Sequence, residues 1–383
     1  QHALDAGIHV SNVPPVKQWV GGELSFRQIR EVAIEDLLGR EVIQLDSETV
    51  AKFIRGKQVL VTGGAGSIGS ELVRQLRAYQ PARVIILDQA ETPLFELEQE
   101  LKSSPHQAPF EIVIGDVCQY DRMRRMMSHF KPDVVFHAAA YKHVPLMELN
   151  PSEAIHTNVE GTKNMADLAV EFGVSTFIFI STDKAVNPTN VMGATKRLAE
   201  MYISCLQKES KTKFITTRFG NVLASNGSVV PIFEEQIEKG GPITVTHPNI
   251  TRYFMTIPEA CQLVLEAGSM GNGGEIFVFD MGQPVAIADL AKKMIRLYGL
   301  IPNIDIDIVY SGLRPGEKLY EELLNDGENT GNTYHDKIMI AKVRDVAFEE
   351  IKDHFNALVS LINQAESEMY LVAKMKEIVP EFV

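Results

Sequence analysis

From Gly56 onward the apolar positions follow a repeating order. A short unbroken run of apolar residues is followed by a stretch in which they recur every three or four positions. The runs at 58–62, 83–87, 111–114, 133–137 and 176–181 predict strands buried on both faces. The stretches at 67–79, 119–129, 151–172 and 192–209 carry the helical period. Asn150, Pro151 and Glu153 supply a cap, a first-turn proline and an early acid for the third of these helices. Such alternation predicts a parallel, doubly wound α/β sheet, because each parallel neighbour needs a crossover. Ligands of these sheets meet the carboxyl ends of the strands, so the residues that follow each apolar run carry the chemical interest.

The first run leads into KQVLVTGGAGSIGSEL (57–72), in which Gly63, Gly66 and Gly69 stand between a strand and a helix. The three glycines serve different ends. Gly63 permits a tight turn, Gly66 clears room for a pyrophosphate, and Gly69 lets the helix pack on the strand. The helix start then offers free N–H groups and a positive dipole end. Asp88 closes the second strand 19 residues after Gly69, near the ~20-residue spacing expected of a carboxylate that holds an adenosine ribose. The pattern predicts a Rossmann dinucleotide site formed by Gly63, Ala65, Gly66, Ser67, Ile68, Gly69 and Asp88. Asp88 repels a 2′-phosphate and Gln89 brings no cation, which favours NAD over NADP.

Further candidates follow the later strands. Asp116 and Val117 come after the third, where an acid can accept from adenine. Ala138, Ala139 and Ala140 come after the fourth, where small side chains leave space for a flat cofactor. Packing of helices against the sheet is the competing explanation for these small residues. The fifth run ends in Ser181-Thr182-Asp183-Lys184, opposite charges directly after a buried strand, which mark either a cleft or a solvated ion pair. Met192 and Lys196 follow at i, i+4 on one helix face.

Beyond residue 213 the elements shorten. Strands are predicted near 214–219, 243–246, 275–279, 305–310 and 337–341, and helices near 228–238, 257–267, 286–298 and 317–324. Gly/Pro punctuation breaks the strict alternation, as expected of a smaller α/β substrate-binding portion. We therefore expect an N-terminal extension over 1–55 and a dinucleotide-binding domain over 56–220, with extra elements drawn from 221–300. A mainly substrate-binding portion over 221–345 and a tail of amphipathic helices over 346–383 complete the chain. His9-Val10 and Trp19-Val20 predict short strands, 33–50 a turn and helix, and 326–336 a polar loop.

Composition narrows the possibilities. The chain has 383 residues, 45% hydrophobic and 23% charged, with a net charge of −13, which disfavours nucleic acid as the main partner. Three widely spaced cysteines without a C-x-x-C pair argue against a disulfide framework or a zinc site, and for a reducing compartment. No metal site is expected. No apolar run approaches the ~18 residues of a membrane span. The first residue is Gln1, so the chain reads as a fragment of a longer protein.

Seven motifs in order carry a resemblance: VTGGAGSIGSEL (61–72), HAAAYKHVPLME (137–148), STDKAV (181–186), MGATKR (192–197), TRFGNVLASNGSV (217–229), THPNITRYFM (246–255) and RPGEKLYEELL (314–324). They resemble the extended short-chain dehydrogenase/reductases, and more narrowly the bacterial UDP-N-acetylglucosamine 4,6-dehydratases. IEDLLGRE (34–41) is similar to the large members of polysaccharide biosynthesis and protein glycosylation, whose catalytic part follows transmembrane helices on the cytoplasmic side of the bacterial inner membrane. The resemblance implies a homo-oligomer that reaches the membrane only through a missing N-terminal region.

It also implies an internal redox cycle: hydride leaves C4 of the sugar for NAD+, the C5 proton and the C6 hydroxyl are lost as water, and the hydride returns to C6. By resemblance Asp183 protonates the departing hydroxyl, Lys184 takes the C5 proton and Lys196 hydrogen-bonds the nicotinamide ribose. Both members of the pair need shifted ionisation. Burial raises a carboxyl and lowers an amine, while their mutual attraction opposes both. Met192 stands where the superfamily has a tyrosine base, and a thioether cannot do that work. The C4 proton acceptor is left open between Thr182 with a water and Asp183 before it acts as acid. Lys142, Asn221, Arg252, Arg314 and Glu317 are the implied contacts to the UDP-sugar. A 4-epimerase and a non-catalytic NAD-binding module are the alternatives.

Overall fold

A computed structural model of the chain describes residues 11–12, 30–31, 46–103, 108–323, 330–341, 348–364 and 366–383. The chain divides into two compact units. The larger comprises 43–220, 257–281 and 314–383, the smaller 1–42, 221–256 and 282–313.

The larger unit is built on one nine-stranded sheet. Its strands are β1 (Gln58–Thr62), β2 (Arg83–Asp88), β3 (Phe110–Ile114), β4 (Val134–His137), β5 (Thr176–Ile180), β6 (Lys213–Arg218), β7 (Ile276–Phe279), β8 (Thr330–Asn332) and β9 (Ile338–Ala341). They lie in the order β8-β9-β7-β6-β5-β4-β1-β2-β3. The seven strands from β7 to β3 run parallel, while β9 joins β7 and β8 joins β9 antiparallel. The architecture is the doubly wound α/β sheet the alternation predicts. Its order reverses between β1 and β4, where such sheets place their ligand crevice.

Burial follows position in the sheet. The central strands β4 and β5 are buried along their whole length, so their sequences VVFH and TFIFI need no polar face. β3 lies at the edge, and all five of its residues are half-buried or exposed. The helices used below are α1 (Ser67–Ala78), α2 (Glu91–Lys102), α3 (Tyr120–Phe130), α4 (Val144–Leu149), α5 (Pro151–Ile155), α6 (Gly161–Glu171), α7 (Val191–Glu209), α8 (Ile257–Met270), α9 (Phe348–Asn363) and α10 (Glu368–Ile378). The C-terminal helices complete the core on the α7 side. Phe355 packs on Tyr202 with tilted rings whose centres are 4.9 Å apart, and Leu371, Met375 and Phe382 are buried in the same cluster.

Several local expectations change. The helix predicted over 151–172 is interrupted by a π turn at His156–Glu160, and Asn150 donates to Leu146 O instead of capping it. No helix forms over 317–323, for reasons given below. Of the polar 326–336 loop, residues 330–332 form β8, and 324–329 lie outside the described residues. Helix α2 is an addition to the predicted set. A helix does form at Ser47–Ile54, whereas residues 33–45 and both proposed strands at 9–10 and 19–20 lie outside the described residues.

The smaller unit holds short paired strands: 221–222 with 254–255, 251–252 with 285–286, and 243–245 with 308–310. Helices at Val229–Glu238 and Ile287–Leu297 accompany them. Among the described residues no helix is long and apolar enough to cross a membrane.

Candidate active site

The loop after β1 is shaped by what a side chain would strike. Gly63 has φ +65°, and a Cβ there would lie 2.6 Å from the backbone nitrogen of Ala139. A Cβ on Gly69 would lie 2.0 Å from Gly63 O, so α1 starts in direct contact with the loop. Helix α1 begins after Gly66 with no side-chain cap and no acid in its first turn, which leaves its positive end for an anion. Asp88 spans two backbones: Oδ2 accepts from Ala65 N at 3.0 Å and Oδ1 from Ala90 N at 3.0 Å. Each oxygen keeps a lone pair for a further donor.

These groups line one cavity of about 230 Å3, bordered by Gly63, Gly66, Asp88, Asp116, Val117 and Ala138–Ala140. Ser67, Ile68 and Gly69 form the first turn of α1 beside it. The fit to a dinucleotide is steric and electrostatic: glycines on the cavity wall, a helix end without a side-chain cap, and the Asp88 carboxylate on the same wall.

The second cluster sits at the carboxyl end of β5. Asp183–Ala185 form one 3-10 turn, with Asp183 buried. Lys184 Nζ lies 3.0 Å from Asp183 Oδ1 and 3.2 Å from Glu321 Oε1. Thr182 donates its hydroxyl to Asp183 Oδ1 at 2.8 Å, while among the described residues the buried Asp183 Oδ2 has no hydrogen-bond partner. Burial pushes the Asp183 carboxyl above its ordinary value. Lys184 opposes that rise, and the Glu321 charge adds to it.

Helix α7 is seated directly on this turn. Asn190 caps it by accepting from Gly193 N at 2.7 Å, and a Cβ on Gly193 would lie 2.1 Å from Lys184 O. Met192 is buried in the first turn of α7. One turn on, Lys196 is buried with its Nζ 4.0 Å from the centre of the Phe179 ring. Burial brings its amine down to about 7, with Glu200 pulling the other way. Burial likewise pushes His137, held between Thr62 Oγ1 and Thr162 Oγ1, down to about 3, so its ring is neutral.

Three side-chain arrangements lie beyond what the motifs announced. Glu200, fully buried, takes Ser181 Oγ at 2.6 Å and a two-point Arg218 contact at 2.8 and 2.6 Å, with Arg197 at 3.4 Å. Burial alone would raise this carboxyl, but the guanidiniums outweigh it and hold it low. Asn158, in the π turn, accepts from Tyr141 N at 2.8 Å and donates to Tyr141 O and Thr195 Oγ1, both at 3.0 Å. Glu321 is the third. Its one sequence signal is an acid inside the 314–324 motif.

The expected UDP-sugar contacts fall in both units. In the larger, Lys142 is exposed after β4, Arg314 is exposed, and Glu317 is half-buried in the turn that Arg314 opens. In the smaller, Asn221 starts a short strand, and the buried Arg252 donates to Thr251 O at 2.7 Å.

Fold and loop chemistry together define the class: an extended short-chain dehydrogenase/reductase, with a glycine cradle after the first strand and a polar turn after the fifth. The family model described as "Polysaccharide biosynthesis protein" matches residues 59–343, and the chain belongs to that family. The capsular polysaccharide biosynthesis protein CapD of Staphylococcus aureus is 50% identical over 368 residues, 95% of this chain. The chain spans 61% of the length of that relative. A UDP-N-acetylglucosamine 4,6-dehydratase (inverting) of Campylobacter jejuni is 37% identical, covering 71% of this chain and 79% of its own. A UDP-glucose 4-epimerase of Rickettsia rickettsii is 36% identical over the same shares. Among solved structures, Pen from Bacillus thuringiensis is similar with a TM-score of 0.69 at 34% identity, covering 80% of this chain and 98% of that one.

Proposed function

We propose that the chain is the catalytic part of an NAD-dependent UDP-N-acetylglucosamine 4,6-dehydratase, which yields a UDP-2-acetamido-2,6-dideoxy-4-keto-hexose. The observation that carries the reading is the Asp183–Lys184 ion pair, its carboxyl buried at the end of β5, in the same sheet whose β1 loop borders the glycine-lined cavity. NAD supplies reversible hydride uptake when bound. The chain supplies the proton chemistry. Asp183 gives a proton to the departing C6 hydroxyl, and burial, which raises its carboxyl, favours the protonated form that this step needs. Lys184 takes the C5 proton made acidic by the 4-keto group. Lys196 holds the nicotinamide ribose, and Asp88 the adenosine ribose.

With a thioether at Met192, the acceptor of the C4 hydroxyl proton is drawn from Thr182 with a water and from Asp183 before it acts as acid, and Thr182 already donates to Asp183. Lys142, Asn221, Arg252, Arg314 and Glu317 contact the nucleotide and sugar. Arginine forks suit pyrophosphate oxygens. The relative named as a UDP-glucose 4-epimerase supports a second reading, since epimerisation shares the first hydride step.

Incubation with UDP-N-acetylglucosamine followed by mass analysis tests the proposal. Loss of one water is expected. An unchanged mass with a new stereoisomer supports the epimerase, and no conversion removes both readings. Asp183→Asn is expected to slow water loss by about 10²–10⁴-fold.

A further inference from the structure

Lys196 and Glu200 stand four positions apart on α7, a spacing at which opposite charges meet across one helical turn. They do not meet here. Among the described residues Lys196 Nζ makes no ion pair and no hydrogen bond, and it lies instead over the face of the Phe179 ring. Met192, one turn before it, brings a thioether and no anion.

Glu200 is held by the sheet. β5 and β6 pair through Ile180 and Thr217, and Ser181 N donates to Thr217 O at 2.7 Å, which sets Ser181 beside the end of β6 where Arg218 stands. Glu200 Oε1 accepts from Ser181 Oγ at 2.6 Å and from Arg218 Nε at 2.8 Å. Oε2 accepts from Arg218 Nη2 at 2.6 Å and from Arg197 Nη1 at 3.4 Å. A carboxylate has about four acceptor sites, and four donors occupy them. Arg218 forks onto both oxygens, a grip that a lysine cannot match.

We propose that Arg218 is a positioning residue for Lys196: by saturating Glu200 it denies the lysine its counter-charge across the turn and keeps the amine unpaired. A buried amine without a counter-charge gives up its proton more readily than a paired one, and Lys196 comes down to about 7 on that account. The ring face favours the ammonium, though less than a carboxylate would. That the free amine then meets the nicotinamide ribose rests on the function proposed above.

The other charged groups on the elements packed against α7 are engaged elsewhere. Asp183 holds Lys184, Glu148 on α4 accepts from Val191 N, and His156 pairs with Glu160 in the π turn. On α6, Asp167 takes Lys163 and the Tyr202 hydroxyl. Lys352, Asp353 and His354 of α9 are exposed, Glu368 of α10 holds Ser152, and Glu381 holds Arg197. His137, beside Phe179, is neutral.

The test needs no turnover. The carbon next to the amine is followed by NMR across neutral pH in protein carrying 13C at the lysine ε position, and the Lys196 signal is identified by its loss in Lys196→Met. In wild type it is expected to titrate at about pH 7. Arg218→Gln opens acceptor sites on Glu200, which then draws the ammonium across the turn, so the midpoint rises by at least one pH unit. Water entering a loosened core would raise it too. The double variant Glu200→Gln/Arg218→Gln separates the two causes, because it removes the carboxylate together with its clamp. Its midpoint is expected within half a pH unit of wild type. A wild-type amine that titrates in the ordinary lysine range, a smaller rise in Arg218→Gln, or a double variant displaced further than that each overturns the proposal.

If Arg218→Gln does not fold, the double variant, which removes both charges of the buried pair, decides against wild type alone. Were Glu200 the partner of Lys196, its removal would drop the midpoint by a unit or more. NAD+ affinity, read by titration, is expected to fall about fivefold or more in Arg218→Gln and to recover in the double variant. Should the midpoints move as expected while NAD+ binds all three proteins alike, the placement of Lys196 at the ribose fails and the role of Arg218 stands.

Discussion

The carboxyl ends of β1 and β5 belong to one sheet, separated by a single strand, yet they are built from opposite materials. At β1 the work falls to backbone and to missing side chains: Gly63, Gly66 and Gly69, with Asp88 tying two N–H groups together. At β5 it falls to charges: the buried Asp183, Glu321, Lys196, Glu200 and Arg218, with the half-buried Lys184. One end tolerates no added atom, the other no lost charge. The difference teaches where a phosphate can be met by N–H groups alone, and where proton transfer needs side chains of shifted ionisation.

The sharpest test strikes Glu200. Glu200→Gln takes from the buried Arg218 the carboxylate it grips at two points and is expected to cost about 3–5 kcal/mol in chemical unfolding. A loss under about 1 kcal/mol would mean that charge does not hold the β5 end together. Next comes Gly69→Ala, whose methyl meets Gly63 O. About 1–3 kcal/mol of stability is expected to go, with NAD affinity falling roughly tenfold or more by titration. A variant that binds NAD normally would break the steric account of the β1 end.

The third prediction concerns pH. Folded Lys196 loses its proton near 7, whereas the unfolded lysine keeps its proton to about 10.5. Between these values the unfolded chain binds the extra proton, so stability rises with pH, by at most about 1.4 kcal/mol per unit from this residue. Urea midpoints at successive pH values check it, and Lys196→Met should remove that part of the slope. The smallest effect belongs to Met192→Leu: under about 1.5 kcal/mol in stability, with turnover within about 2-fold, since the thioether does no proton chemistry.

The two ends also differ in how far a reader of the sequence can see. The glycine loop is legible because its demand is local: a turn, a close approach and a helix start fall within a dozen residues. β4 and β5 are legible because burial on both faces leaves no room for polar alternation. Glu200 is not, because an acid in a long helix reads as solvated until Arg218, 18 positions on, is folded over it. Nor is Glu321, since its partner is 137 positions away and the intervening chain visits another unit. The predicted helix at 317–324 fails for the same reason. Its apolar spacing is real, but its side chains at Lys318, Glu321 and Glu322 are held by distant partners at 184–187.

The π turn at His156–Glu160 carries a consequence for variation among related chains. A wide turn holds one residue more than the ordinary spiral, so it works as a phase offset between α5 and α6. Deleting a single residue there would let the spiral close up without unfolding anything. The helices on either side would keep their phase, because the residue removed is the extra one, but each side chain left inside the turn would shift by up to about 100°, the angle one residue subtends in a helix of 3.6 per turn. Asn158 would swing off Tyr141 and Thr195, and the loop after β4 would come loose from α7 while the core stayed intact. A one-residue gap at this point is therefore expected to silence such a protein more thoroughly than many substitutions in its hydrophobic interior.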